Sequence, residues 1–331
     1  MNKTWSGIAA ATALAVVAWA GCGVFIGIKA EDTLKSWALQ TGTGAATAWW
    51  ISDVQHQRGL FQSRGELLAA YSPGCANLPG NDDRFTVKLS YTLTHLPLPN
   101  AAARFQWQLT PQGDTAEAFK TLFGSASALS GKGSVGLTGA VRSDMSLPAV
   151  ALRRSGEVLT VTPSSGTLRM RGQQLAMQWK IDRLVIRGHG QAFDMENMAI
   201  DLDIDNRSKG TGSGSLKIAR SSTSQGSLEG LELSMEAREK GDRLNMSVTP
   251  SLRKLEVAGQ ALTDLRMQWA LHGLHTASAE RLIQLFEDSC GMQALTAQES
   301  QIAAQALQTL LVKGFSFGMS SLTGKGTSGS L

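Results

Sequence analysis

The feature that most constrains the fold is an alternation of apolar and polar residues at every second position, repeated over most of the chain. Between Arg84 and Thr94, Phe85, Val87, Leu89, Tyr91 and Leu93 alternate with Thr86, Lys88, Ser90, Thr92 and Thr94. A period of two sends one set to one side of a strand and the other set to the opposite side. The pattern returns at Phe105, Trp107 and Leu109, at Leu175, Met177, Trp179 and Ile181, and at Ile200, Leu202 and Ile204. It continues at Leu231, Leu233 and Met235, at Leu244, Met246 and Val248, and at Leu265, Met267, Trp269 and Leu271. No crossover helices separate these runs, so they predict antiparallel meanders rather than a doubly wound parallel sheet. The expected fold class is mainly β: long twisted antiparallel sheets, an N-terminal transmembrane helix and a late pair of α-helices.

That helical pair is legible from a different period. Residues 276–288 place Ala279, Leu282, Ile283 and Phe286 on one helix face, and 296–312 do the same with Ile302, Ala303, Ala306, Leu307, Leu310 and Leu311. Thr296 followed by Glu299 reads as a capping box. Phe315, Phe317 and Met319 then resume a strand, and the stop at Leu331 without a closing element suggests a truncated chain or a sheet edge that needs a partner.

Gly-rich breaks separate the strands, among them Lys132-Gly133-Ser134-Val135-Gly136-Leu137, Lys209-Gly210-Thr211 and Lys325-Gly326-Thr327. Each departs from a phosphate-binding loop because Gly follows the Lys where Ser or Thr is required. They are expected to be hairpin turns with flanking strand edges, and their recurrence suggests a repeated β-unit. Apolar residues make up 42% and charged residues 18%, which excludes disorder and leaves a folded chain. The net charge of +4 is mild and no Lys/Arg-rich run is present, so nucleic acid is not an expected partner.

From Trp5 to Ile28 about 24 residues pass without a charge, enough for a helix to cross a hydrocarbon core. Lys3 before the run, with Lys29, Glu31 and Asp32 after it, favours a cytoplasmic amino terminus. Two other readings stay open: a cleaved signal peptide, whose apolar region is usually shorter, and a lipoprotein signal ending at Ala20-Gly21-Cys22. The domain organisation expected is an anchor over 1–28, a helical or linker segment over 29–50 and a periplasmic β-rich domain over 51–331. Cys75 and Cys290 lie outside the anchor in a compartment where disulfides persist, which makes them a possible bridge or two separate buried thiols.

Few residues suggest chemistry. Asp201, Asp203 and Asp205 resemble the start of a calcium loop, but Asn206 and Gly212 stand where the loop needs Gly and a bidentate Glu. They are read as the solvated face of a strand, eased by Lys or Arg on a neighbour. His272 and His275, with Glu280 and Cys290 nearby, form no HExxH or paired CxxC pattern. His56, His95 and His189 read as ordinary surface or turn residues. No GxSxG elbow is present, so no catalytic, cofactor or metal-binding residue is assigned.

The apolar N-terminal run, the segment Gln57-Arg58-Gly59-Leu60-Phe61-Gln62-Ser63-Arg64 and the later Leu310-Leu311-Val312-Lys313-Gly314-Phe315 together resemble the YdgA-like bacterial family of unknown function. The resemblance is sharpest at Arg58, Gly59, Phe61 and Ser63, with Leu60 where Trp is common and a body shorter than usual. It implies an inner-membrane-anchored, periplasmic, β-rich protein of a Gram-negative bacterium, and it supplies no catalytic residues. Physically, Arg58-Gly59 is expected to form a turn of unusual φ, after which Leu60 and Phe61 begin a strand that seats in the core.

The expected function is non-enzymatic: an envelope protein anchored in the inner membrane through residues 5–28, with a binding or scaffolding role. Its partner would be phospholipid, held where apolar strand faces line a groove, or another envelope protein. The alternatives are a homodimer or larger assembly that pairs through sheet edges, and a periplasmic hydrolase.

Overall fold

The computed structural model describes residues 49–71, 85–95, 101–113, 116–117, 120, 129–154, 157–188, 191–207, 209–288, 295–326 and 329–330. The expected anchor, Cys75, His189 and Cys290 lie outside these residues. Among the described residues no helix is long and apolar enough to cross a membrane.

The alternation seen in the sequence becomes one antiparallel sheet in which each strand pairs with its neighbour in the chain. It begins with β1 (Trp49–Arg58), β2 (Gln62–Tyr71), β3 (Phe85–Thr94), β4 (Ala103–Gln112), β5 (Leu129–Val135) and β6 (Val141–Leu147). Next come β7 (Val150–Arg154), β8 (Glu157–Val161) and β9 (Ser164–Arg171). Two short strands line up end to end on each side of this hairpin: β6 pairs with β9, and β7 with β8. The breaks fall at Pro148 and Pro163, residues without an N–H to give to a ladder. Thr162 repairs part of the loss, because its Oγ1 accepts from the Arg183 N–H at 3.0 Å.

Longer strands follow: β10 (Gln174–Gly188), β11 (Gln191–Asn206), β12 (Thr211–Thr223), β13 (Gly226–Lys240), β14 (Arg243–Val257) and β15 (Gln260–His275). Two helices, α1 (Thr276–Asp288) and α2 (Ala297–Lys313), precede β16 (Ser316–Gly326) and the short β17 (Gly329–Ser330). Both helices fall where the sequence period placed them. Thr296 caps α2: its side chain accepts from the Glu299 N–H, and the Glu299 carboxylate accepts from the Thr296 N–H at 2.8 Å. Arg243 ties the end of α2 to the sheet by donating to the carbonyls of Gly273, Lys313 and Gly314 at 2.7, 3.1 and 3.0 Å.

The glycine-rich segments combine turns with strand interior. Lys132 to Val135 is the end of β5, where the rings of Trp107 and Phe105 lie over Gly131 and Gly133 and leave no room for a Cβ, and Gly136 and Leu137 enter the expected hairpin, closed by the Gly136 N–H donating to the Ala140 carbonyl at 2.7 Å. The Gly/Ser-rich β12 is a full strand for the same kind of reason, with Leu202 and Met235 flanking Gly214. Lys209-Gly210 does form a turn, with Gly210 at φ +64°.

A transverse crease crosses the longer strands. Asn197 on β11, Gly230 on β13 and Asp264 on β15 have φ of +51°, +63° and +53°. The register places Asn197 opposite Ala219, Ala219 opposite Gly230, Gly230 opposite Arg253 and Arg253 opposite Asp264. The line runs on through Asp182 to the proline breaks of β6–β9. Apolar positions change parity here on every strand with enough of them to judge. On β11 the set Met198, Ile200 and Leu202 gives way to Phe193 and Met195, and on β15 Leu265, Met267 and Trp269 give way to Leu262. A left-handed residue turns the strand that follows it, so the sequence switches parity where the backbone turns.

Candidate functional site

Residues directly opposite one another in an antiparallel ladder share a face, so the register assembles each face of the sheet from the sequence. One row reads Leu93, Phe105, Gly133, Ser143, Leu168, Met177, Leu202, Gly214, Met235, Val248, Trp269 and Met319. The next row of the same face carries Tyr91, Trp107, Gly131, Met145, Gly166, Trp179, Ile200, Leu216 and Leu233. The apolar face is therefore continuous from β3 to β16. It holds few polar groups, and Trp107 satisfies its Nε1–H by donating to Ser143 Oγ at 3.0 Å.

This face is not sealed by a second layer of large side chains. Met235 is 46% exposed, Trp269 37%, Phe317 66%, Met319 49% and Leu322 41%, and Trp269 and Phe317 stack on each other at the β15–β16 edge. The helices bury Ala279, Ala303, Ala306 and Leu310, and leave Leu307, Leu311 and Val312 outside. A groove lined by apolar faces was expected. The hollows of about 980 and 700 Å³ instead lie on the opposite, polar face, the first beside Gln57, Ser90, Gln106 and Ser130 and the second beside Gln178, Ser215, Ser234 and Thr249.

The segment from Arg58 to Ser63 forms the β1–β2 hairpin. Gly59 does not adopt a left-handed φ, contrary to expectation. Its smallness is needed because a Cβ would sit 2.5 Å from the Gln62 carbonyl oxygen, which accepts the Gly59 N–H across the turn at 2.9 Å. Leu60 and Phe61 do not seat in a core either: they occupy the turn at 69% and 43% exposure, and the strand starts at Gln62. Arg58 is exposed and lies opposite Ser63 in the ladder.

Ser63 and His95 are the most deeply buried large or polar side chains described, both at 0% exposure. The His95 N–H donates to the Phe61 carbonyl at 2.7 Å, which holds the end of β3 against the hairpin. Ser63 Oγ and both His95 ring nitrogens lack hydrogen bonds among the described residues. Burial first, and the nearby His56 second, push the His95 pKa below its ordinary value and favour the neutral ring. His56 is bonded through Nδ1 to the Tyr91 hydroxyl at 2.7 Å. His95 and His56 are thus interior-facing residues and not the ordinary surface positions expected from sequence. Ser63 and His95 do not bond each other, so the nucleophile–base contact of acyl transfer is not formed.

The other candidates stay apart. Asp201 and Asp203 lie on the polar face of β11, opposite Gln178 and Ser215, and Ala176 and Ser213. The cation expected directly beside them is not there; Arg169 reaches that row one strand further on, opposite Ala176. His272 and His275 lie on β15 and not on a helix, with His275 Nδ1 2.9 Å from Ser278 Oγ. Among the described residues no group of three His, Cys, Asp or Glu converges as metal ligands. Ser63 stood out in the sequence only as part of the segment that carries the resemblance, and the burial of His95 was missed, because lone Ser and His residues give no periodic signal; the turn that brings Phe61 against His95 reveals it.

No curated protein and no solved structure matches the chain. A family model does, over residues 1–331, that of a bacterial protein of unknown function. With the match extending over the entire sheet and its N-terminal apolar run, the chain belongs to the family of bacterial proteins of unknown function designated DUF945.

Proposed function

We propose that this chain is a non-enzymatic, membrane-anchored protein of the periplasmic envelope whose apolar sheet face takes up lipid acyl chains. The observation that carries the reading is the continuous apolar face, whose Met and Leu side chains are left partly exposed near β13 to β16. Contiguous apolar surface beyond a few hundred Å² marks an interaction site, and flexible thioether and aliphatic side chains suit a partner without fixed shape. The apolar run at 5–28 and the YdgA-like resemblance support the anchor and the compartment.

The test is native mass spectrometry of the detergent-solubilised full-length protein, followed by lipid extraction. Stoichiometric phospholipid, lost when Met235 and Met319 are both replaced by Asp, is the expected result. Lipid-free protein from lipid-replete membranes would overturn it. A second reading, edge pairing into a homodimer, is favoured by β16, which is exposed along nearly its whole length and, among the described residues, pairs on its outer side only at Lys325 and Gly326. A lipid-free dimer in the same spectrum would select it.

A further inference from the structure

We infer that the polar face between β2 and β9 binds phosphoryl groups. Cations that are far apart in sequence are brought into one field by the register. Arg104, Ser134, Arg142 and Arg169 lie in a single transverse row on β4, β5, β6 and β9. Lys132 lies one row over on β5, and Arg64 shares its row on β2 through Thr92 and Gln106. Adjacent strands lie about 4.8 Å apart, so Arg104 and Arg142 stand roughly 10 Å apart at the backbone. Arg64, Arg104, Lys132, Arg142 and Arg169 are all exposed.

Little on the sheet neutralises them. Asp144 lies 3.6 Å from Arg142 and directly opposite Lys132 in the ladder, while Arg64, Arg104 and Arg169 form no ion pair among the described residues. Arg104, Lys132 and Arg142 border a hollow of about 580 Å³, with hydroxyls of Thr92, Thr94 and Ser134 between them and the Asp144 carboxylate on the same lining, three cations against one acid. Guanidinium forks and hydroxyl donors on a concave surface suit phosphoryl oxygens. They suit nucleic acid poorly, because Tyr91, Phe105 and Trp107 alternate to the other face of the described strands and are not offered here for a base to stack on. The field is invisible to a search for basic runs in sequence, since each strand contributes its cations singly.

The same phosphoryl chemistry is offered by free polyphosphate and by lipid headgroups. The test titrates detergent-solubilised full-length protein with tripolyphosphate by calorimetry and measures competition by the soluble headgroup analogues glycerophosphoglycerol and glycerophosphocholine. Tripolyphosphate binding at low salt is expected to weaken about tenfold or more in the Arg104→Gln/Arg142→Gln variant and on raising salt. Lys217→Gln, on β12, is expected to leave it unchanged. Competition by glycerophosphoglycerol and not by glycerophosphocholine assigns headgroups; tripolyphosphate binding that neither analogue displaces assigns a soluble ligand. Absence of tripolyphosphate binding at low salt, or equal binding by the double variant, overturns the inference. Neither result depends on lipid extraction from the apolar face, so the two proposals fail separately.

Discussion

His56 on β1 and Tyr91 on β3 are hydrogen-bonded at 2.7 Å across a strand that places only Gly65 between them. The two rings stack with centroids 6.1 Å apart, and a Cβ on Gly65 would overlap the Tyr91 hydroxyl and ring and crowd the Gln55 carbonyl. Backbone is among the obstacles, so side-chain motion alone does not relieve the clash. Gly65→Ala is therefore expected to destabilise the chain by about 1–3 kcal/mol, the usual cost of overpacking. The urea midpoint checks this, and Tyr91→Ala should recover part of the loss in the Gly65→Ala background.

The crease predicts unequal costs for one substitution at neighbouring positions. Asn197 and Asp264 hold left-handed φ angles that Asn and Asp tolerate better than branched residues do. Asn197→Val should cost about 1–2 kcal/mol, while Asn197→Gly should stay within about 0.5 kcal/mol of the parent. Ala219, directly opposite Asn197 but without a left-handed φ, should accept Val at little cost. Equal losses at 197 and 219 in thermal unfolding would show that the φ angle is not what selects Asn.

The sequence made the strands and helices legible because their periods are local. Leu175 to Ile181 announces β10, and Thr296 with Glu299 announces the start of α2, since both signals depend on residues within a few positions. The faces were half legible. Alternation identified Phe105 and Trp107 as companions, but only the register showed that Gly131 and Gly133 lie beneath them, in the strand that runs up to the hairpin at Gly136. His95 was unreadable, because its burial arises from the hairpin turn at Phe61, more than thirty residues away. The same holds for the hollows: periodicity gives two faces, but the bend of the sheet decides which one is concave.

The buried His95 fixes a pH dependence. Its folded pKa lies below the ordinary 6.5, chiefly because burial disfavours the charged ring. The unfolded chain therefore binds more protons than the folded one below about pH 6.5, and stability must fall as pH drops through that value toward the folded pKa. Above it the His95 contribution is flat. His95→Phe should remove this part of the slope, and urea midpoints measured between about pH 7.5 and 5.5 should then lie closer together than in the parent.

The capping box of α2 tests how the helical pair depends on local chemistry. The Thr296 side chain accepts from the Glu299 N–H at 3.2 Å, and the Glu299 carboxylate accepts from both the Thr296 N–H and its hydroxyl at 2.8 Å. These bonds, led by the backbone one, hold the Glu299 pKa below its ordinary value. A depressed carboxylate contributes stability above the unfolded pKa and loses it as pH falls through the folded one, so this end of α2 should loosen on acidification below about pH 4.5. Thr296→Ala removes one partner and should cost about 1 kcal/mol, whereas Thr296→Ser should cost little. Because Arg243 binds the carbonyls at the far end of α2, fraying at Thr296 should leave that end closed. Hydrogen exchange should accelerate at Gln298 to Gln301 in Thr296→Ala and remain unchanged at Leu310 to Lys313.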